Sequence, residues 1–300
     1  MSASERVVRR VVGAKRMQRA ALLSHAVEEF ADAYVAGERS ADAAAVARRL
    51  QGFGLLTGFA YLPTADEPPS EALDRLGELL GDLGGWAKDA EINVKPRSLG
   101  SGAAARARLR RFCGDAEAVG ARVMLEMQGF SGYDETLRLW REVREDHRDL
   151  GITLPAEIRR AEADCADLAT RAARVRVCVG AYPVPREESV GREHDKTKAL
   201  VRCLRRVMEN GGYACLASHH PTVVAIAQDL ARRCGLGPDD FEFQMYHGIR
   251  PLEQRRLVDI GYRARTYVPF GPGWFEHLTT RVAVRPRTAY PYLQAVMDKR

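Results

Sequence analysis

The sequence predicts a (β/α)8 barrel of the TIM type, with N-terminal helices and a C-terminal helix over the barrel mouth. Three observations predict it. Short apolar segments recur at fairly regular intervals, longer segments with helical periodicity separate them, and the joins between the two are short. Alternating strand and helix with short joins gives parallel strands with right-handed crossovers, and eight such units close into a barrel of about 250 residues. The 300 residues suit one such barrel. An open doubly wound sheet is the alternative, but no glycine-rich phosphate loop follows the first strand.

Taken in order, residues 1–50 read as an N-terminal helical arm, in which the alanine-rich SADAAAVARRLQGFG leads into the first strand, and residues 51–300 as the catalytic barrel domain. The strand segments are GLLTGFAYL (Gly54 to Leu62), EINVKP (Glu91 to Pro96), RVMLEM (Arg122 to Met127) and GITLP (Gly151 to Pro155). RVRVCV (Arg174 to Val179), YACLAS (Tyr213 to Ser218), FEFQM (Phe241 to Met245) and RARTYV (Arg263 to Val268) complete the set. Several are rich in Val, Ile and aromatics, as buried strands are. Between them, DETLRLWREVREDHRDL sets Leu137, Trp140, Val143 and Leu150 on one helical stripe, and DKTKALVRCLRRVMENGG ends in a glycine pair that reads as a helix stop. Near the C-terminus the chain breaks at Gly271-Pro272-Gly273 and resumes as a helix carrying His277, Thr280, Arg281 and Arg285.

Composition narrows the function classes. Hydrophobic residues make up 46% and charged residues 29%, ordinary for a soluble globular protein. No apolar run approaches the roughly 18 residues of a membrane span. The basic N-terminus lacks an apolar core segment, so no secretory signal is expected and a cytoplasmic location is. The net charge of +6 is spread along the chain rather than gathered on one element with stacking aromatics, so no nucleic-acid partner is expected. The six cysteines form no C-x-x-C pair and read as reduced; Cys178 and Cys215 sit in apolar runs where a thiol packs as a small hydrophobe.

Chemistry in a barrel gathers at the C-terminal ends of the strands. Those ends offer Lys95, Glu126, Gln128, Arg176, Ser218, His219, His220, Gln244, His247 and Tyr267. The set is cationic and aromatic with few carboxylates, so no metal site is expected. Adjacent strand residues face opposite ways, which rules out Ser218–His219 as a nucleophile pair. Lys95 admits two readings, a Schiff-base nucleophile or a rim salt bridge. Arg176 lies in an otherwise apolar strand, where a guanidinium needs an anion or an electron-rich ligand. Gly180 and Ala181 let the backbone approach something closely. His277, Thr280 and Arg281 fall at i, i+3 and i+4 and share one helix face. That face is either a carboxylate fork over the mouth or an ordinary solvated arginine face.

The segments VRVCVGAY, FEFQMYHGIRPLEQRRLVDIGYRARTYVPFG and WFEHLTTRVAVRP resemble the proline dehydrogenase family, flavin-dependent barrels that oxidise L-proline. Echoes in YVAGERSADAAAVARRL, INVKPRSLG and GITLPAEIRRAEAD carry the likeness over most of the chain from Tyr34 onward. The resemblance implies FAD as cofactor and a carboxylated amine as substrate, oxidised at its carbon–nitrogen bond by hydride transfer. It implies Lys95 and Arg281 as carboxylate-binding cations and Arg176 beside the flavin. Ala217, Ser218 and His219 would touch the flavin, and Tyr267 would be the substrate-site tyrosine. With Gly180, Ala181 and Gln244 these form the expected cofactor site, and His277 joins the expected catalytic set. The resemblance leaves room for a homo-oligomer and names no electron acceptor.

The chain also departs from the family pattern. The family's Tyr-Leu-x-Arg-Arg is His277-Leu278-Thr279-Thr280-Arg281, and the lysine before Gly-Ala-Tyr is Val179. The flavin-contacting glutamine is Pro155, the tyrosine two positions on is Glu157, and the glutamate before the final Arg-Pro is Val284. An altered substrate is the expectation. The alternative is a flavin-free barrel doing acid–base chemistry through His219, His220, His247 and His277, or only binding a ligand.

Overall fold

The structure, a computed structural model, describes residues 33–180 and 184–277. Ala181 and residues 278–300, with Thr280, Arg281, Val284 and Arg285, lie outside the described residues, as do residues 1–32. Eight parallel strands close in sequential order: β1 Leu56–Tyr61, β2 Glu91–Val94, β3 Arg122–Leu125, β4 Gly151–Pro155, β5 Arg174–Cys178, β6 Tyr213–Ala217, β7 Phe241–Tyr246 and β8 Arg263–Phe270. Each falls within or across its predicted segment. β1 pairs with β8, Gly58 opposite Tyr267, and this pairing closes the cylinder.

Helices wrap the outside: α1 Ser40–Gln51, α2 Glu71–Leu83, α3 Pro96–Leu99, α4 Gly102–Ala118, α5 Tyr133–Arg144, α6 Ala161–Ala169, α7 Glu193–Glu209, α8 Pro221–Arg233 and α9 Pro251–Asp259. α1 buries Ala43, Ala44, Ala47 and Leu50 in the same apolar shell as the outward faces of β1. In α5 three members of the predicted stripe, Leu137, Trp140 and Val143, pack inward; the fourth, Leu150, lies past the helix end just before β4, where its carbonyl accepts the Trp140 indole N–H at 2.9 Å. Outward strand residues such as Ile92, Leu154, Val175, Val177 and Phe243 fill the layer between sheet and helices. Burying each such side chain contributes about 1.5–3 kcal/mol.

Two tight turns frame the barrel mouth. Gly248 has φ +75°, and a Cβ there would sit 2.1 Å from Ala33 O, so only glycine lets the turn after β7 pass under the N-terminal segment. A Cβ on Gly273 would sit 2.0 Å from Pro63 O, which is why the Gly-Pro-Gly break can fold back over the exit of β1. Helical backbone follows at 274–277, ending the described chain at His277. Among the described residues no helix is long and apolar enough to cross a membrane.

Candidate active site

The strands carry charged and polar residues at every second position on one face: Glu91 and Asn93 on β2, Arg174 and Arg176 on β5, Glu242 and Gln244 on β7, Arg265 and Tyr267 on β8. Period two puts them on a common side, and here that side is the barrel interior. The lumen is an ion network rather than a stack of aliphatic layers. Arg265 grips Glu242 with both Nε (2.8 Å) and Nη2 (3.1 Å), and its Nη1 donates to Thr57 O and Asp89 O. Gly58 makes room, since a Cβ there would stand 3.2 Å from Arg265 Cδ. Arg174 pairs with Glu91 at 3.1 Å and Glu242 at 2.6 Å. Above them, Arg176 bonds Glu91, donates from Nε to Gln244 Oε1 at 2.5 Å, and faces Glu126 at 3.5 Å.

These groups are charged because they are paired. Burial alone would raise the Glu242 pKa, but the guanidiniums of Arg174 and Arg265 hold it well below the ordinary carboxylate range. Glu91 is likewise pushed up by burial and drawn down further by Arg176, Arg265 and Arg174. Cys215 lies inside this network, where burial raises its thiol pKa and the arginines oppose the rise. The apolar surroundings read for Cys215 from its strand are therefore corrected: its outward neighbours are apolar, but its own side faces the ions. Glu91, Cys215 and Glu242 bring potential ligand atoms within 4.8 Å of one another. Three guanidiniums already occupy that space, and their charge opposes a cation.

The network rises to a more open mouth. Lys95, at the exit of β2, donates from Nζ to Tyr61 O at 2.8 Å. Tyr267 donates its hydroxyl to Glu126 Oε1 at 2.8 Å, and the Arg176 guanidinium lies 5.4 Å from its ring centroid. Arg176, Gln244 and Tyr267 thus share one set of contacts. At the neighbouring exits of β5 and β6, Cys178, Val179, Ala217, Ser218 and His219 are all half-buried, forming an open shelf beside the buried strand interiors. Gly180 closes the β5 side, its N–H donating to Glu157 Oε2 at 2.9 Å. Ser218 and His219 lie just beyond the last residue of β6, and Ser218 Oγ accepts the His220 N–H at 3.2 Å. The His219 ring stacks on Tyr246, and its Nε2 accepts the Tyr246 N–H at 2.9 Å. His277 sits at the rim, where its N–H donates to Gly273 O.

Glu91, Glu242, Arg174, Arg265 and Glu157 were not expected among the site's supports. For Arg174, Glu242 and Arg265 the signal was the charge alternation within RVRVC, FEFQ and RART, which an outward-facing apolar reading of strands passes over; Glu91, at the start of β2, and Glu157, beyond β4, lie outside those runs.

This barrel, with a charged floor, a cationic and phenolic mouth and an open shelf over adjacent strands, has the architecture of a (β/α)8 enzyme with its site at the C-terminal face. The family model for proline dehydrogenase matches residues 191–274. Proline dehydrogenase 1 of Bacillus subtilis (strain 168) is 26% identical over 272 residues, covering 89% of this chain and 90% of that protein. Proline dehydrogenase of Deinococcus radiodurans is 26% identical over 297 residues, with 95% of each chain covered. Among solved structures, proline utilization A (PutA) from Bdellovibrio bacteriovorus inactivated by N-propargylglycine superposes with TM-score 0.78 at 20% identity. That match covers 94% of this chain and 35% of the PutA chain, so the barrel spans about a third of that longer protein. The sequence matches support a member of the proline dehydrogenase family, and the structural match shows the fold.

Proposed function

We propose that this barrel is an FAD-dependent oxidoreductase of the proline dehydrogenase type, oxidising the carbon–nitrogen bond of proline or a related carboxylated amine. The observation that carries the reading is the coexistence of Lys95, Arg176, Tyr267 and Gln244 around one mouth, beside the half-buried shelf of β5 and β6. The residues present fit a flat, hydrogen-bonding cofactor. The shelf supplies small side chains at Ala217 and Ser218, Gly180 offers a side-chain-free edge, and Arg176 has five N–H donors, three of whose contacts are described. Arg176, Gly180, Ser218, His219 and Gln244 would hold it, with Ala181 completing the set.

The cofactor supplies hydride acceptance from the carbon next to the substrate nitrogen, the part of the chemistry a side chain cannot do. Lys95 supplies a cation for the substrate carboxylate, with Arg281 as its second point of attachment in the sequence. Tyr267, held by Glu126, walls the mouth and orients the substrate. The Arg176 charge is fixed by Glu91 and Glu126, so it can favour negative charge developing above it without moving. Thr280 and His277, in place of the family's arginine and tyrosine, are the sequence basis for an altered substrate.

Pro155 favours a second reading, the flavin-free barrel with acid–base or ligand-binding chemistry, since it ends β4 with no polar side chain to offer. Anaerobic mixing of the FAD-incubated protein with L-proline and N-alkylated or larger cyclic amino acids separates the two. Loss of the flavin bands with one of them supports oxidation. Retained binding of such an amino acid by a protein that takes up no FAD supports the second reading.

A further inference from the structure

We propose that Arg250 is a positioning residue for His219, and that the Tyr246 peptide fixes the His219 ring as the tautomer protonated on Nδ1. A backbone N–H can only donate, so the contact from Tyr246 N to His219 Nε2 at 2.9 Å requires a lone pair on Nε2. In the neutral ring the proton is then on Nδ1. The Tyr246 peptide is itself held: its carbonyl accepts Gln254 Nε2 at 3.2 Å, while Gln254 is buried and takes the Thr266 hydroxyl on Oε1. The Tyr246 ring stacks on the imidazole at 5.5 Å, and Tyr267 packs edge-on to Tyr246 at 5.0 Å.

Arg250 holds the same residue from the other side. Its Nη1 donates to His219 O at 2.9 Å, across 31 positions of sequence, and Glu253 stands 3.9 Å from Nη2. Arg250 has φ +48°, one of three positive-φ residues other than glycine among the described residues. Such a conformation is unfavourable for a side-chain-bearing residue and persists only where the surroundings enforce it. Glycine or asparagine would adopt it more readily. An arginine there makes sense if its guanidinium is needed at the β6 exit. The consequence, which rests on the flavin reading above, is that His219 stands beside the cofactor shelf as one fixed tautomer, its ring held by Tyr246 and its backbone by Arg250.

The test is nitrogen-15 NMR of the full protein labelled at histidine, with and without added FAD, on wild type and Arg250→Gly. The proposal expects the Nδ1-protonated pattern for His219 in wild type at neutral pH. It expects Arg250→Gly to melt at the wild-type temperature or higher, because the strained position is relaxed. The same variant should show His219 as a tautomer mixture and bind FAD about tenfold more weakly, the scale of one charge-assisted hydrogen bond. An Nε2-protonated ring in wild type overturns the tautomer assignment. A variant that melts lower yet keeps a single tautomer shows Arg250 to be merely structural and overturns its positioning role. If wild type takes up no FAD the flavin reading fails, while both tautomer results still decide this proposal.

Discussion

Lys95 and Tyr267 are the side chains through which substrate recognition is most directly tested. Lys95 is anchored on Tyr61 O and Tyr267 on Glu126, so each can be truncated with its anchor left intact. Lys95→Met removes a cation from the mouth and is expected to raise the substrate KM about 10- to 100-fold, corresponding to about 1.5–3 kcal/mol. Steady-state kinetics checks it, and an unchanged KM would remove Lys95 from carboxylate binding. Thr280→Arg restores the family's arginine pair and is expected to lower the KM for proline by a similar factor. If proline turnover is unaffected while flavin is bound, the missing arginine is not what alters the substrate. Residue roles were only partly legible in the sequence. Lys95 stands just past the last residue of β2, as the residue pattern put it, while Arg176, Gln244 and Tyr267 lie within β5, β7 and β8, short of their ends. Their partners were not legible, because which carboxylate meets which guanidinium depends on barrel closure: Arg265 reaches back to Thr57 across the β1–β8 seam, a separation of 208 residues.

At the scale of elements, all eight strands were readable from short runs bounded by turn residues, and so were Leu137, Trp140 and Val143 on the buried face of α5, though not the place of Leu150 beyond the helix. Less readable was how the exits of β5, β6 and β7 are stitched together. Ala156 N extends the β4–β5 ladder to Cys178 O beyond Pro155, and Glu157 then caps Gly180. Those bonds depend on loop conformations with no periodic signature. The turn after β7 is sensitive to a single methyl group. Gly248→Ala meets both a positive φ and the Ala33 carbonyl, and is expected to cost at least about 1–2 kcal/mol. Thermal unfolding should show a lower Tm, and an unaltered Tm would mean that the segment around Ala33 does not pack against this turn.

Across the whole molecule, the ion network sets how stability depends on pH. Glu91 and Glu242 have pKa values lower folded than unfolded, so each contributes stability that is present above the ordinary glutamate value, about 4.3. That contribution is lost as pH falls through the folded-state value. Urea midpoints are expected to hold near neutrality and fall steeply below about pH 4. Glu242→Gln leaves Arg174 and Arg265 without their shared carboxylate and is expected to destabilise by about 3–5 kcal/mol. In this variant the acid fall should be shallower, because one titrating group is gone. A variant as stable as wild type would show that the network is not what holds the lumen. The barrel itself followed from the strand count. The charged lumen did not, because an alternating charge pattern within a strand also fits a solvent-facing edge until closure turns that face inward.

Whether this barrel carries FAD is decided by the visible absorption spectrum of the purified protein, recorded with and without added FAD. Flavin bands that stay with the protein through gel filtration and bleach anaerobically with a carboxylated cyclic amine are the predicted result. A colourless protein that leaves all added FAD in the small-molecule fractions would contradict it.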